Sequence, residues 1–140
     1  MTAAISYQLR IDVRRPVRIR VGRLGHFLFP AGRYVYTGSA KRNLEARIAR
    51  HLRKKKALRW HIDWLLSAPG VKVATVKRSS EGECILNQKV VGMVVVPGFG
   101  ASDCRNGCGS HLRYLWGSRL LRRHASIAAP GWKNVNHAER

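Results

Sequence analysis

Arg47 and His51 stand four residues apart in a helix-forming segment. That spacing puts a guanidinium and an imidazole on one helical face. Phosphate chemistry needs fixed positive charge beside a group that can hold or move a proton, and this pair offers both. The guanidinium fork matches phosphate geometry and could stabilise charge that develops in a transition state. The imidazole, with an ordinary pKa near ~6.5, could relay a proton. A plainer reading stays open, with Arg47 lying along the helix edge and His51 a satisfied core histidine. Just before this helix, Tyr36-Thr37-Gly38 ends a β-branched and aromatic run, and Tyr7 lies on an earlier run that could pair beside it. Two phenols in one cleft could hold or deprotonate a water if a cation lowered their ordinary pKa of about 10. Gly38 is read as a turn glycine that supplies a positive φ.

Three further places carry chemistry-bearing side chains. His61, in Arg59-Trp60-His61-Ile62-Asp63, either packs beside Trp60 and Trp64 or faces a phosphate. Glu83 either complements the dipole at a helix N-terminus or is a single carboxylate ligand for Mg²⁺, which keeps most of its waters. Cys104 and Cys108, with His111 nearby and Cys84 upstream, hint at zinc. The spacing favours buried or free thiols over structural zinc, because no two cysteines are separated by two residues. Gly98-Phe99-Gly100 forms a tight loop whose glycines could let backbone approach a phosphate.

Positioning these groups falls to short elements. Ile5–Val13 alternates as a strand, as do Val17, Ile19 and Val21 after the break at Arg15-Pro16. Their closeness in sequence predicts an antiparallel hairpin. His26–Phe29 and Arg33–Thr37 read as further strands. Asn43 is the expected N-cap of a helix over Leu44–Arg53. Leu44, Ile48 and Leu52 form its apolar stripe, His51 sits beside the stripe, Arg47 is at its edge, and Glu45, Arg50 and Arg53 point away. Residues 53–56 form a basic loop. Helices are expected over Trp60–Leu66 and Glu81–Lys89, the second capped by Ser79 or Ser80. Strands are expected from Val71 and over His111–Trp116, with Gly92–Val96 a strand or a buried extended segment.

The bulk numbers bound the function. One core suits 140 residues. No apolar run approaches the ~20 residues that span a bilayer. No signal peptide is read at the start. Three cysteines are too few and too odd in number for a disulfide framework, so a reducing cytoplasm is the expected compartment. No membrane partner is expected. Twenty-seven Lys and Arg oppose seven Asp and Glu, a formal charge of +20. Such a surface attracts polyanions, nucleic acid above all, with salt-sensitive affinity. The scarcity of acids means that any carboxylate metal site draws on very few residues.

Taken in order, these residues resemble a GIY-YIG nuclease domain, and more narrowly the small stand-alone Uri-type family also known as DUF123. The likeness runs from about Ser6 to Trp116. It rests on the Gly32–Ala40 segment with Tyr36-Thr37-Gly38, on the Leu44–Leu52 helix with Arg47 and His51, and on Trp60-His61-Ile62-Asp63. Gly82-Glu83-Cys84, the Gly98–Cys104 loop and Ser110-His111-Leu112 complete it. The first motif reads Ile5-Ser6-Tyr7, without the family's Gly.

The resemblance implies an α/β (α+β) fold, a small, mainly antiparallel three-stranded sheet flanked by helices. Residues 1–124 would form a single domain and residues 125–140 a C-terminal tail. It implies a divalent-metal-dependent endonuclease acting on DNA, branched or single-stranded forms included. Tyr7 and Tyr36 would orient or deprotonate water, Arg47 would stabilise phosphoryl charge, and His51 and His61 would assist proton transfer or phosphate positioning. Glu83 would bind Mg²⁺ or Mn²⁺. Gly38, Ser39, Lys41, Arg42, Arg50, Lys54 and Lys55 would meet the nucleic acid. Two other readings stand beside it: a catalytically weak or inactive nucleic-acid-binding module on the same fold, and a small zinc-stabilised RNA-associated protein. The oligomeric state is left open.

Overall fold

The structure is a computed structural model that describes residues 3–102, 104–117 and 133–134. Its centre is β1 (Ser6–Val13), which pairs antiparallel on both sides. On one side lies β4 (Gly32–Ser39), in register Tyr7↔Gly38, Leu9↔Tyr36 and Ile11↔Tyr34. On the other lies β5 (Val71–Ser79). β6 (Leu112–Gly117) adds to β4, and β7 (Lys133–Asn134) adds two residues to β5, giving the order β6-β4-β1-β5-β7. The α+β class holds, but the antiparallel sheet has five strands where three were expected. The tail expected over 125–140 lies outside the described residues except for β7, which pairs with Thr75 and Val76.

β2 (Val17–Val21) and β3 (Gly25–Phe29) form a separate hairpin in register Val17↔Phe29. The hairpin expected between β1 and β2 does not form. Alternation identified both strands correctly but carried no information about partners, and β1 finds longer ladders with β4 and β5.

The two faces of the sheet differ. Tyr7, Leu9, Ile11 and Val13 project from one face of β1 into the main core. They pack there with Ile48 of α1 (Leu44–Leu52) and with Ile62, Leu65 and Leu66 of α2 (His61–Leu66). Ser6 and Gln8 lie on the other face. The Gln8 amide donates to Thr37 Oγ1 at 3.1 Å and to the Leu86 carbonyl of α3 (Glu83–Gln88) at 3.4 Å. Cover on both faces explains why β4 is buried along nearly its whole length and why its sequence barely alternates.

The helix ends differ in detail from expectation. Asn43 precedes α1 in the left-handed region (φ 55°) and makes no side-chain cap; its carbonyl accepts from the Arg47 N–H at 3.0 Å. α3 begins at Glu83, two residues late, and Ser79 Oγ accepts from the Glu81 N–H in the preceding turn. Near Gly92–Val96, Met93 makes only an isolated bridge to Tyr114, with Met93 and Val94 exposed. Among the described residues no helix is long and apolar enough to cross a membrane.

Candidate functional site

The end of β4 is where the helices of both faces meet. Ser39 is the junction. Its carbonyl accepts from Arg47 Nη1 of α1 at 2.6 Å, and its hydroxyl donates to Glu83 Oε1 of α3 at 3.0 Å. Glu83 Oε2 lies 2.9 Å from His111 Nδ1. The carboxylate therefore sits between the Tyr–Arg–His group and the cysteine-rich loop, its side chain 29% exposed. No other guanidinium N–H of Arg47 has a hydrogen-bond partner among the described residues. Its guanidinium lies 4.8 Å from the Trp60 ring centroid.

Below this rim lies an aromatic floor. Tyr7 Oη and His51 Nε2 share a hydrogen bond of 2.6 Å. The Tyr36 ring lies 6.4 Å from Tyr7 and 6.1 Å from His51. Tyr7 and His51 are almost fully covered, at 1% and 2% exposure. No hydrogen bond occupies the Tyr36 hydroxyl among the described residues.

Gly38 makes this seating possible. A Cβ there would fall 2.5 Å from the Tyr7 hydroxyl. Its φ is not positive, so the glycine is needed for close approach and not for a turn, contrary to expectation. Gly100 does the same for the second phenol, since a Cβ there would lie 2.9 Å from Tyr36 Cε1.

The electrostatics follow from this burial. Burial raises both phenols well above their ordinary range, and Arg47 only partly opposes the shift. Neither is a resting phenolate. Burial, followed by Lys56, pushes His51 down to about 4; Asp63 opposes and Arg50 and Arg47 add to the shift. His51 is therefore neutral at pH 7, with Nδ1 buried and unpartnered among the described residues.

The structure brings together Tyr7, Tyr36, Arg47, His51 and Glu83, from β1, β4, α1 and α3. His61 stands to one side. Its Nδ1 accepts from the Gly100 N–H at 2.9 Å and its ring lies 5.7 Å from Phe99, which in turn packs on Tyr36.

The residues expected to meet nucleic acid divide into two groups. Lys41, Arg42 and Lys55 are exposed and have no protein partner among the described residues. Gly38 lies buried under Tyr7, and Ser39 is committed to Arg47 and Glu83. Lys54 is exposed but reaches back to the Val71 carbonyl at 3.4 Å. Arg50, expected to point away, clamps Asp63 through two bonds of 2.8 and 3.0 Å and stacks on Trp60. Asp63 is fully buried. Burial alone would raise its carboxyl, but Arg50 and the N–H groups of Trp60 and Arg59 outweigh burial and hold it below the usual range.

Three participants were not read from the sequence in these roles. The Trp60 ring lies against both the Arg47 and Arg50 guanidinium groups, 4.8 and 4.4 Å from its centroid, and beside His51. Lys56 closes the C-terminal end of α1 by donating to the His51 carbonyl at 2.7 Å. A cation just past a helix C-terminus was the available signal for that. Nothing in the sequence ties His111 to Glu83, which it meets in the fold. Burial alone would lower the His111 pKa, but the bond to Glu83, helped by the thiols of Cys104 and Cys108, lifts it to about 9.

Four elements thus place two phenols, a guanidinium, a neutral imidazole and one partly exposed carboxylate around a single strand end, in a small α+β domain with cationic flanks. The chain belongs to the family described as domain of unknown function DUF123, whose family model matches residues 6–130. No curated protein and no solved structure matches it.

Proposed function

We propose that this chain is a divalent-metal-dependent endonuclease that hydrolyses DNA phosphodiester bonds, as its GIY-YIG-like residues imply. The observation that carries this reading is the convergence of Tyr7, Tyr36, Arg47, His51 and Glu83 on the end of β4. The spare N–H groups of Arg47 suit a phosphate oxygen, and its bond to Ser39 fixes the fork in place before substrate arrives. The Tyr36 hydroxyl orients the attacking water. As that water attacks phosphorus, its proton passes to the Tyr7 oxygen and the Tyr7 proton passes to His51 Nε2. The P–O ester bond then breaks and the leaving oxygen takes a proton from solvent. A relay through a neutral imidazole suits phenols that burial keeps protonated.

Glu83 fits a hydrated magnesium or manganese ion: it is a carboxylate at the rim, and each oxygen accepts one hydrogen bond and retains a lone pair. When bound, such an ion would supply Lewis-acid stabilisation of phosphoryl charge.

Incubation with supercoiled plasmid and Mg²⁺ or Mn²⁺ tests this reading. Wild type should nick the plasmid, and Arg47→Ala should slow nicking by roughly 100-fold or more. Absence of scission by wild type, or full activity in Arg47→Ala, would sink it. The near-complete cover of Tyr7 and the missing first-motif glycine favour a second reading, a catalytically weak or inactive nucleic-acid-binding module. That reading predicts salt-sensitive binding with no strand cleavage.

A further inference from the structure

We propose that Cys84, Cys104, Cys108 and His111 form a tetrahedral zinc site that staples α3 to the 98–111 loop leading into β6. One donor atom from each residue lies within 4.8 Å of all the others. The Cys84 and Cys104 sulfurs are 3.6 Å apart, and Cys84 Sγ lies 3.8 Å from His111 Nε2. A tetrahedral ion with Zn–S bonds of ~2.3 Å sets its ligands about 3.5–3.8 Å apart, so these donors already stand near a coordination shell. The cysteines are free thiols, and 3.6 Å is far beyond an S–S bond of ~2.05 Å.

The surroundings suit ligation. The His111 ring meets Glu83 through Nδ1, which leaves Nε2 to point at the cysteines. This is the carboxylate–histidine–metal arrangement in which the outer hydrogen bond fixes tautomer and ring orientation. Gln88 Nε2 lies 3.6 Å from Cys108 Sγ. Gly107, at φ +71°, allows the tight turn between the two loop cysteines. Thiols are weak hydrogen-bond partners, so three of them with an imidazole gain little from one another without a metal. Three sulfurs and one nitrogen suit zinc, and no coordination position is left open for chemistry.

The staple also bears on the candidate site. Phe99 and Gly100, in the same loop, pack against Tyr36 and hold His61. Glu83 is tied to a zinc ligand. The zinc would thus be structural, and it is a different ion from the one that Glu83 itself could bind.

The test is elemental analysis of the purified full-length chain after dialysis, with thiol counting. One zinc per chain is expected, with the three thiols unreactive toward a disulfide reagent until a mercurial displaces the metal and releases it to a colorimetric chelator. Replacing zinc with cobalt should give the intense visible bands of tetrahedral thiolate coordination. A Glu83→Gln variant should still carry zinc but lose it about 10- to 100-fold more readily to chelator. Substoichiometric zinc together with three freely reactive thiols would overturn the proposal, as would iron in place of zinc. Every decisive measurement is made on the wild-type chain, so poor folding of cysteine variants does not blunt it. Zinc content is independent of plasmid cleavage, so this proposal and the nuclease reading can fail separately.

Discussion

At the scale of single residues, the burial of His51 has a measurable consequence. Its pKa is about 4 in the folded chain, against ~6.5 when unfolded. Between those values the unfolded chain binds more protons, so stability falls as pH drops from ~6.5 towards ~4. One histidine contributes up to about 1.4 kcal/mol per pH unit in that window. Lys56, Arg50 and Arg47 work in this direction and Asp63 against it. Chemical denaturation of wild type and His51→Gln at several pH values should show a shallower acid slope in the variant; parallel slopes would contradict the assignment. The Arg50–Asp63 pair makes a second prediction. Asp63→Ala removes the acceptor of two guanidinium bonds and two backbone N–H bonds in a dry setting. It should cost about 3 kcal/mol or more in denaturant unfolding, and a loss below about 1 kcal/mol would show that Arg50 finds water instead. Helical spacing made Arg47 and His51 legible as a pair. The same wheel put Arg50 in solvent, because it carries no information about an acid thirteen residues on that arrives from another helix.

At the scale of elements, register decides the site. β1 and β4 pair so that Tyr7 faces Gly38 and Leu9 faces Tyr36, which sets both phenols on the core face. Gly38→Ala inserts a methyl where the Tyr7 phenol lies. Something must shift, and overpacking of this kind costs about 1–3 kcal/mol. The expected outcome is a lower melting temperature together with loss of the Tyr7–His51 bond, read by NMR of the His51 ring nitrogens. An unchanged imidazole would mean that the sheet, not the phenol, had moved. Strand existence was legible from alternation and turn residues. Strand partners were not: β1 and β2 are adjacent in sequence, yet β1 pairs with strands some twenty-five and sixty-five residues away. The zinc-type cluster was hard to read for a similar reason. Cys84 comes from a helix and His111 from the last loop position before a strand, and only the fold brings them to Cys104 and Cys108.

At the scale of the whole molecule, a net charge of +20 promises affinity for polyanions but does not say which cations provide it. The structure sorts several of them. Arg50 neutralises a buried acid, and Lys56 bonds carbonyls at the end of α1. These cations are internal, and removing them should alter folding more than binding. Lys41 and Arg42, just before α1, and Lys55, just after it, are exposed and unpartnered among the described residues, at the two ends of the helix that carries Arg47. Each phosphate contact steepens the dependence of log affinity on log salt by about 0.9 for duplex DNA and about 0.7 for a single strand. If these three side chains meet phosphate, Lys41→Ala, Arg42→Ala and Lys55→Ala combined should flatten the salt slope by about 2–3 without shifting the melting temperature. Arg50→Ala should do the reverse, lowering the melting temperature with little change in slope. Fluorescence anisotropy of a labelled oligonucleotide titrated at several salt concentrations, beside thermal melts of the same proteins, separates the two cases. An unchanged slope in the triple variant would move the nucleic-acid face away from the ends of α1, and with it the case for Arg47 as the phosphate contact.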